Sequence, residues 1–107
     1  MDNSYDQLST CHVNCQSLFA HLDEFRSFFE TKKYHIICLS ETWFKPTVSD
    51  QLMNLSGYQI FRRDRSGKNG GGVAFYLTKS LHAKILLQSE GEYCRKPEYL
   101  IAEISIT

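Results

Sequence analysis

The sequence predicts a mixed α/β (α+β) fold, a mainly antiparallel sheet with one main helix, and three observations predict it. Leu18, Leu22, Phe25 and Phe29 recur at steps of four, three and four, one face of a 3.6-residue period. Short apolar segments of strand length follow, and the last of them alternates strictly with a period of two. Glycine-rich punctuation separates two of these segments in the way that joins antiparallel strands. The chain has 107 residues with 12 basic and 12 acidic side chains, which predicts one small domain.

Taken in order, residues 7–13 read as a rather polar strand ending at Asn14. Ser17 follows at the position of a helix N-cap, ahead of the apolar stripe from Leu18 to Phe29. Ile36, Ile37, Cys38 and Leu39 form a run without polar alternation, which predicts a strand covered on both faces. Ser40 and Glu41 come directly after it. Lys45-Pro46 opens a loop, Asp50 to Leu55 suits a short helical turn, and Gly57 precedes a strand over Tyr58 to Arg63. A second strand over Val73 to Thr78 would pair with it antiparallel across the glycine-rich connection. Residues 83–88 are a weaker strand, Glu90 to Pro97 a polar turn region, and Leu100 onward an alternating strand that runs to the end of the sequence. A strand ending there predicts a chain that stops inside a larger fold.

An apolar fraction of 42% with 13% aromatics excludes a disordered chain, and no apolar run reaches the roughly 20 residues of a membrane span. The opening residues carry neither a basic start nor an apolar stretch of secretory type. The expectation is therefore an intracellular protein of the cytoplasm or nucleus, not secreted, with Cys11, Cys15, Cys38 and Cys94 as reduced thiols. Cys11, His12 and Cys15, with His21, His35 and Cys38 further on, lack the paired spacings of structural zinc modules. Zinc stays a minor alternative.

Zero net charge gives no global reason to bind polyanions, but the charge is unevenly spread. Up to Gly57 there are four basic against seven acidic residues, and after it eight against five. Arg62, Arg63, Arg65 and Lys68 concentrate the positive charge, so contact with phosphates would fall in the second half. The triple glycine lacks the G-x4-G-K-[ST] spacing of a phosphate loop and suits a hairpin turn better. Asn14 and Glu41 stand at strand ends, where α/β proteins form their ligand crevices, and would converge if their strands are neighbours. A turn-forming Asn and a solvated Glu are the plainer readings of the same two residues.

Four segments then occur in order and at compatible spacing: Asn14-Cys-Gln-Ser17-Leu18, Ile37-Cys-Leu-Ser-Glu41-Thr42-Trp43, Gly57-Tyr58-Gln-Ile60-Phe-Arg62-Arg-Asp64-Arg65 and Gly70-Gly-Gly-Val73-Ala-Phe-Tyr76. Together they resemble the N-terminal half of the endonuclease domain of non-long-terminal-repeat (non-LTR) retrotransposons. That domain belongs to the endonuclease/exonuclease/phosphatase superfamily, which includes apurinic/apyrimidinic endonucleases. The resemblance runs from about Leu8 to the end of the chain.

The resemblance implies a partial four-layer α/β sandwich and a Mg2+- or Mn2+-dependent DNA-nicking activity, encoded with a reverse transcriptase in a mobile element. It makes Glu41 the metal ligand and Asn14 its catalytic partner, with Ser17, Thr42, Arg62, Arg63, Arg65 and Lys68 against the DNA. A carboxylate suits hard Mg2+, which keeps waters and binds substrate phosphate. The family's later Asp-x-Asn and Ser-Asp-His motifs have no counterpart before Thr107. Residues 1–107 are therefore expected to form a truncated domain, inactive alone, with one sheet whose inner face lacks its partner and which is prone to association. The alternative is a small non-catalytic module that binds nucleic acid or protein through the basic hairpin.

Overall fold

The computed structural model describes residues 7–106. Strand β1 is Thr10–Asn14, a 3-10 turn covers Phe19–His21, and the helix α1 is Leu22–Thr31. Strands β2 (Ile36–Ser40), β3 (Tyr58–Arg63) and β4 (Val73–Thr78) follow, then β5 (His82–Gln88) and β6 (Leu100–Ser105). A four-stranded sheet has the order β1-β2-β4-β3, and β5 and β6 form a second, two-stranded sheet. Only β1 and β2 run parallel, joined by the crossover through α1; the other pairs are antiparallel.

Alternation along the strands assigns two cores to the two faces of the larger sheet. Ile37, Leu39, Ala74, Tyr76 and Tyr58 point to one side, where Phe25 and Phe29 of α1 pack with Leu18, Phe44, Met53 and Leu55. Phe75, Leu77 and Leu81 make the other cluster, against Ala83, Leu100, Ala102 and Ile104 of the β5–β6 hairpin. The order of layers is thus helix, sheet, hairpin, and β4 is buried on both faces at Ala74, Phe75, Tyr76 and Leu77.

Three expectations change. The strand covered on both faces is β4 rather than β2, because β5–β6 stops short of Cys38, which is exposed beside His12 on the uncovered part of the sheet. The inner face is not wholly bare, since a second sheet of two strands covers part of it. Ser17 does not cap α1. Its Oγ accepts from the Ala20 N–H at 3.4 Å in the 3-10 turn, while His21 holds the N-cap position of α1 with no side-chain bond.

Other expectations stand. β3 and β4 have the bounds the sequence indicated and pair from Tyr58 opposite Thr78 to Arg63 opposite Val73. The turn at Asp50–Leu55 forms, closed by Met53 N–H to Asp50 O and tied to α1 by Arg26, which donates to Asn54 O and Leu52 O at 2.9 Å each. The outer side of β5–β6 keeps Leu86, Leu87 and Ile101 exposed. No helix of the described residues is long and apolar enough to cross a membrane.

Ile37 is fully buried at the centre of the helix-side core, whereas Ile101 is 47% exposed. Ile37→Ala is expected to cost about 2–5 kcal/mol and Ile101→Ala about 0.5 kcal/mol or less, read as urea midpoints. Similar losses for both would place the core elsewhere.

Candidate functional site

The parallel pairing of β1 and β2 sets Asn14 opposite Ser40, so the two strands end level and Asn14 and Glu41 leave the same edge of the sheet. The chain then runs on in step. Cys15 N–H donates to Ser40 O at 2.9 Å, Ser17 N–H to Glu41 O at 3.1 Å and Leu18 N–H to Thr42 O at 3.1 Å. On its other side the Glu41–Trp43 segment meets the glycine-rich connection, with Thr42 N–H donating to Gly72 O at 3.3 Å and Trp43 N–H to Gly71 O at 2.9 Å.

This seam is strained. Gln16, Ser17, Glu41 and Trp43 all have positive φ, a region that costs an L-residue about 1–2 kcal/mol and that gathers at functional sites. The glycines opposite are needed for close approach. A Cβ on Gly72 would lie 2.5 Å from Thr42 Oγ1, and one on Gly71 would lie 2.3 Å from Arg65 Nε.

Within the seam, Glu41 is half-buried and its Oε1 accepts from the Trp43 indole N–H at 3.1 Å. Asn14 is exposed. Trp43 is itself 46% exposed while Phe44 is buried, so of the two rings only Phe44 went to the core. Among the described residues no group of three or more His, Cys, Asp or Glu gathers as a metal cage. One carboxylate and one amide at level strand ends are instead donors of a kind that would suit an ion held mainly by waters and substrate oxygens. Nor does a zinc site form from the cysteines; Cys15 is buried, and that burial pushes its thiol up to about 11.

Thr42 is fully buried and its hydroxyl has no partner among the described residues. It therefore cannot present that hydroxyl to a DNA backbone, and the expected contact is withdrawn. The cations of the hairpin are mostly engaged. Arg62 is bound to Asp64 at 2.7 Å and Asp50 at 3.0 Å, with its guanidinium 4.7 Å from the centre of the Phe44 ring. Burial alone would lower the Arg62 pKa, but the two carboxylates more than offset it and raise it. Arg63 donates to Ser89 O, and Arg65 Nε donates to Glu98 Oε2 at 2.6 Å. Lys68 lies 4.4 Å from the centre of the Tyr93 ring. Lys45, Arg65 and Lys68, with Ser66 and Asn69, line an open cleft of about 590 Å³.

Two participants escaped sequence reasoning. Glu98 lies between the polar turn region and the last strand, and nothing in the sequence ties it to Arg65, 33 positions earlier. For Trp43, its offset of two from Glu41 was the only available signal of their contact.

Neither a family model nor a curated protein sequence matches the chain. A solved structure does: the AP endonuclease LMAP from Leishmania major, at a TM-score of 0.65 and 21% identity, over 94% of this chain and 40% of that one. The fold described above is therefore an AP-endonuclease-like fragment fold, and the chain spans well under half the length of that structure.

Two predictions test the seam. Replacing the orphaned hydroxyl by its apolar isostere, Thr42→Val, is expected to leave stability unchanged or to raise it by about 1 kcal/mol, by thermal or urea unfolding. A loss above that size would reveal a hidden partner. The second concerns Glu98, where burial favours the neutral acid but the bonds from Arg65 and the Gly72 N–H outweigh it and hold the carboxyl below the usual range. A lowered folded pKa stabilises above the ordinary value of about 4.3 and is lost as pH falls below it. Between pH 5 and pH 3, roughly the span of that titration, the native chain should lose more stability than Glu98→Gln; equal slopes would contradict the assignment.

Proposed function

We propose that residues 1–107 are the N-terminal half of an endonuclease domain that nicks DNA, of the type encoded by non-LTR retrotransposons, and that this half supplies the metal-binding side of the site. The observation that carries the reading is the level ending of β1 and β2, which delivers Asn14 and Glu41 to one edge of the sheet. The AP-endonuclease-like fold supports it independently.

In this reading Glu41 holds Mg2+ or Mn2+ through its carboxylate and Asn14 stands next to it. When bound, such an ion supplies Lewis-acid stabilisation of the phosphate and the leaving oxygen, worth several kcal/mol. The chain's own work is positional. The Trp43 N–H fixes one Glu41 oxygen and leaves the other open, while the Asn14 side-chain amide can both donate and accept at the neighbouring position. Ser17 lies on the same seam. Lys45 and Lys68 at the cleft meet the DNA backbone as point charges, which position the strand without reading bases. Arg62 and Arg65 contribute mainly by shaping that surface, since each is paired with a carboxylate of the chain, and Arg63 is held by the Ser89 carbonyl.

No histidine of the chain is assigned as general base. His12, near the seam, is bonded through Nε2 to Ser40 Oγ at 2.9 Å, and acid–base groups contribute about 10²- to 10⁴-fold each. The chain alone is therefore proposed to be inert. A plasmid-nicking assay with Mg2+ is expected to show no turnover, and nicking that disappears in Glu41→Ala would overturn that inertness. Metal binding is tested separately: Mn2+ is expected to broaden the NMR signals of Asn14 and Trp43, and Glu41→Gln to abolish the effect. Unchanged broadening in Glu41→Gln would remove Glu41 as ligand.

The Lys45–Lys68 cleft favours a second reading, a small binding module without catalysis. Salt-dependent duplex binding that is lost in Lys68→Glu yet indifferent to Glu41→Gln and to Mn2+ would select it.

A further inference from the structure

We propose that Glu98 is a positioning residue for Glu41, acting through Arg65 and the glycine segment; its bearing on metal binding rests on the reading of Glu41 as the ligand. Both oxygens of Glu98 are committed. Oε2 accepts from Arg65 Nε at 2.6 Å, and Oε1 accepts from the Gly72 N–H at 3.0 Å. Arg65 also donates through Nη1 to Asn69 O at 3.0 Å. The ion pair thus grips residues 69–72 at both ends, with the guanidinium lying directly on Gly71.

That grip is passed on through backbone bonds. Gly72 and Gly71 present their carbonyls to the N–H groups of Thr42 and Trp43, and the Trp43 indole N–H in turn holds Glu41 Oε1. Glu98 fixes the glycines, the glycines fix Thr42 and Trp43, and Trp43 orients the carboxylate.

Charge adds a second consequence. Arg65 lies close enough to Glu41 for that carboxylate to stabilise its charge, although its main partner is Glu98. The side chains of Arg65 and Glu98 are only 17% and 20% exposed, so little water competes for the pair. Without Glu98, Glu41 is the carboxylate that still acts on the guanidinium, and an Arg65–Glu41 pair would occupy the group that has to receive a cation. Glu98 therefore holds Arg65 in place and also keeps it off Glu41.

The chain contains a single tryptophan, so its NMR spectrum has one indole N–H signal, and that signal reports on the Glu41 contact. In Glu98→Gln, with a dispersed spectrum, the metal-free indole signal is expected to move towards its position in Glu41→Gln. Broadening of that signal by Mn2+ should need about tenfold more ion than in the native chain, a size usual for groups that orient a metal ligand. Arg65→Lys keeps the charge but breaks the two-point grip, and should shift the indole signal in the same direction; it serves if Glu98→Gln does not fold. An indole signal at its native position in either folded variant overturns the proposal. Should Mn2+ broaden native and Glu41→Gln alike, the metal reading fails, while the metal-free shift still decides the role of Glu98.

Discussion

The structure turns on the Glu41–Trp43 segment being hydrogen-bonded along both of its edges. Ser17 and Leu18 donate to it from the β1 side, and it donates to Gly71 and Gly72 on the β4 side. Left-handed residues at Glu41 and Trp43 would relax if either edge were free, because such conformations persist only where the surroundings over-determine them. The direction of the Glu41 side chain is therefore set by partners far apart in sequence. At Gly72 the approach to Thr42 leaves no room for a Cβ, so a larger residue there would force the segment to shift.

That seam needs a stiff floor, and β4 provides it. With Tyr76 packed among Phe25, Tyr58 and the helix-side core, and Leu77 fully buried on the other face, the strand is fixed between two hydrophobic layers. Close packing of this kind transmits displacement rather than absorbing it. Strand ends rooted in such a sheet hold side chains better than free loops do.

What was legible in the sequence follows from the range of the forces involved. The bounds of β3 and β4, the stripe of α1 and the turn at Asp50 are local, written in alternation, period and punctuation. That Asn14 and Glu41 follow strands lying side by side was legible only as a condition, and β1 and β2 are neighbours whose ends lie level. Four features depended on which layer covers which residue: the exposure of Cys38, the burial of Thr42, the 3-10 turn that took Ser17 from α1, and the reach of Glu98 to Arg65. None of these has a local signature. The cationic run was visible as charge, but its carboxylate partners at Asp50 and Glu98 lie 12 and 33 positions away.

The charge distribution takes on a different meaning once those partners are known. Arg62 and Arg65 are each paired with acidic groups of the same surface, Asp50 and Asp64 for the first and Glu98 for the second, so these two cations are engaged in shaping the hairpin. Lys45 and Lys68 remain at the cleft, on flexible stems that suit point-charge contact with phosphate. Arg65 borders both regions. It lines the cleft with the lysines, and Gly70 alone separates it from Trp43, a Cβ there lying 3.6 Å from Arg65 Nη1 and 3.7 Å from Trp43 Nε1. On the proposed reading, a phosphate that enters between Lys45 and Lys68 meets Arg65 with its charge already balanced by Glu98. Pairing Arg65 with Glu98 keeps the guanidinium from closing on Glu41 and leaves that carboxylate bonded to the Trp43 indole N–H.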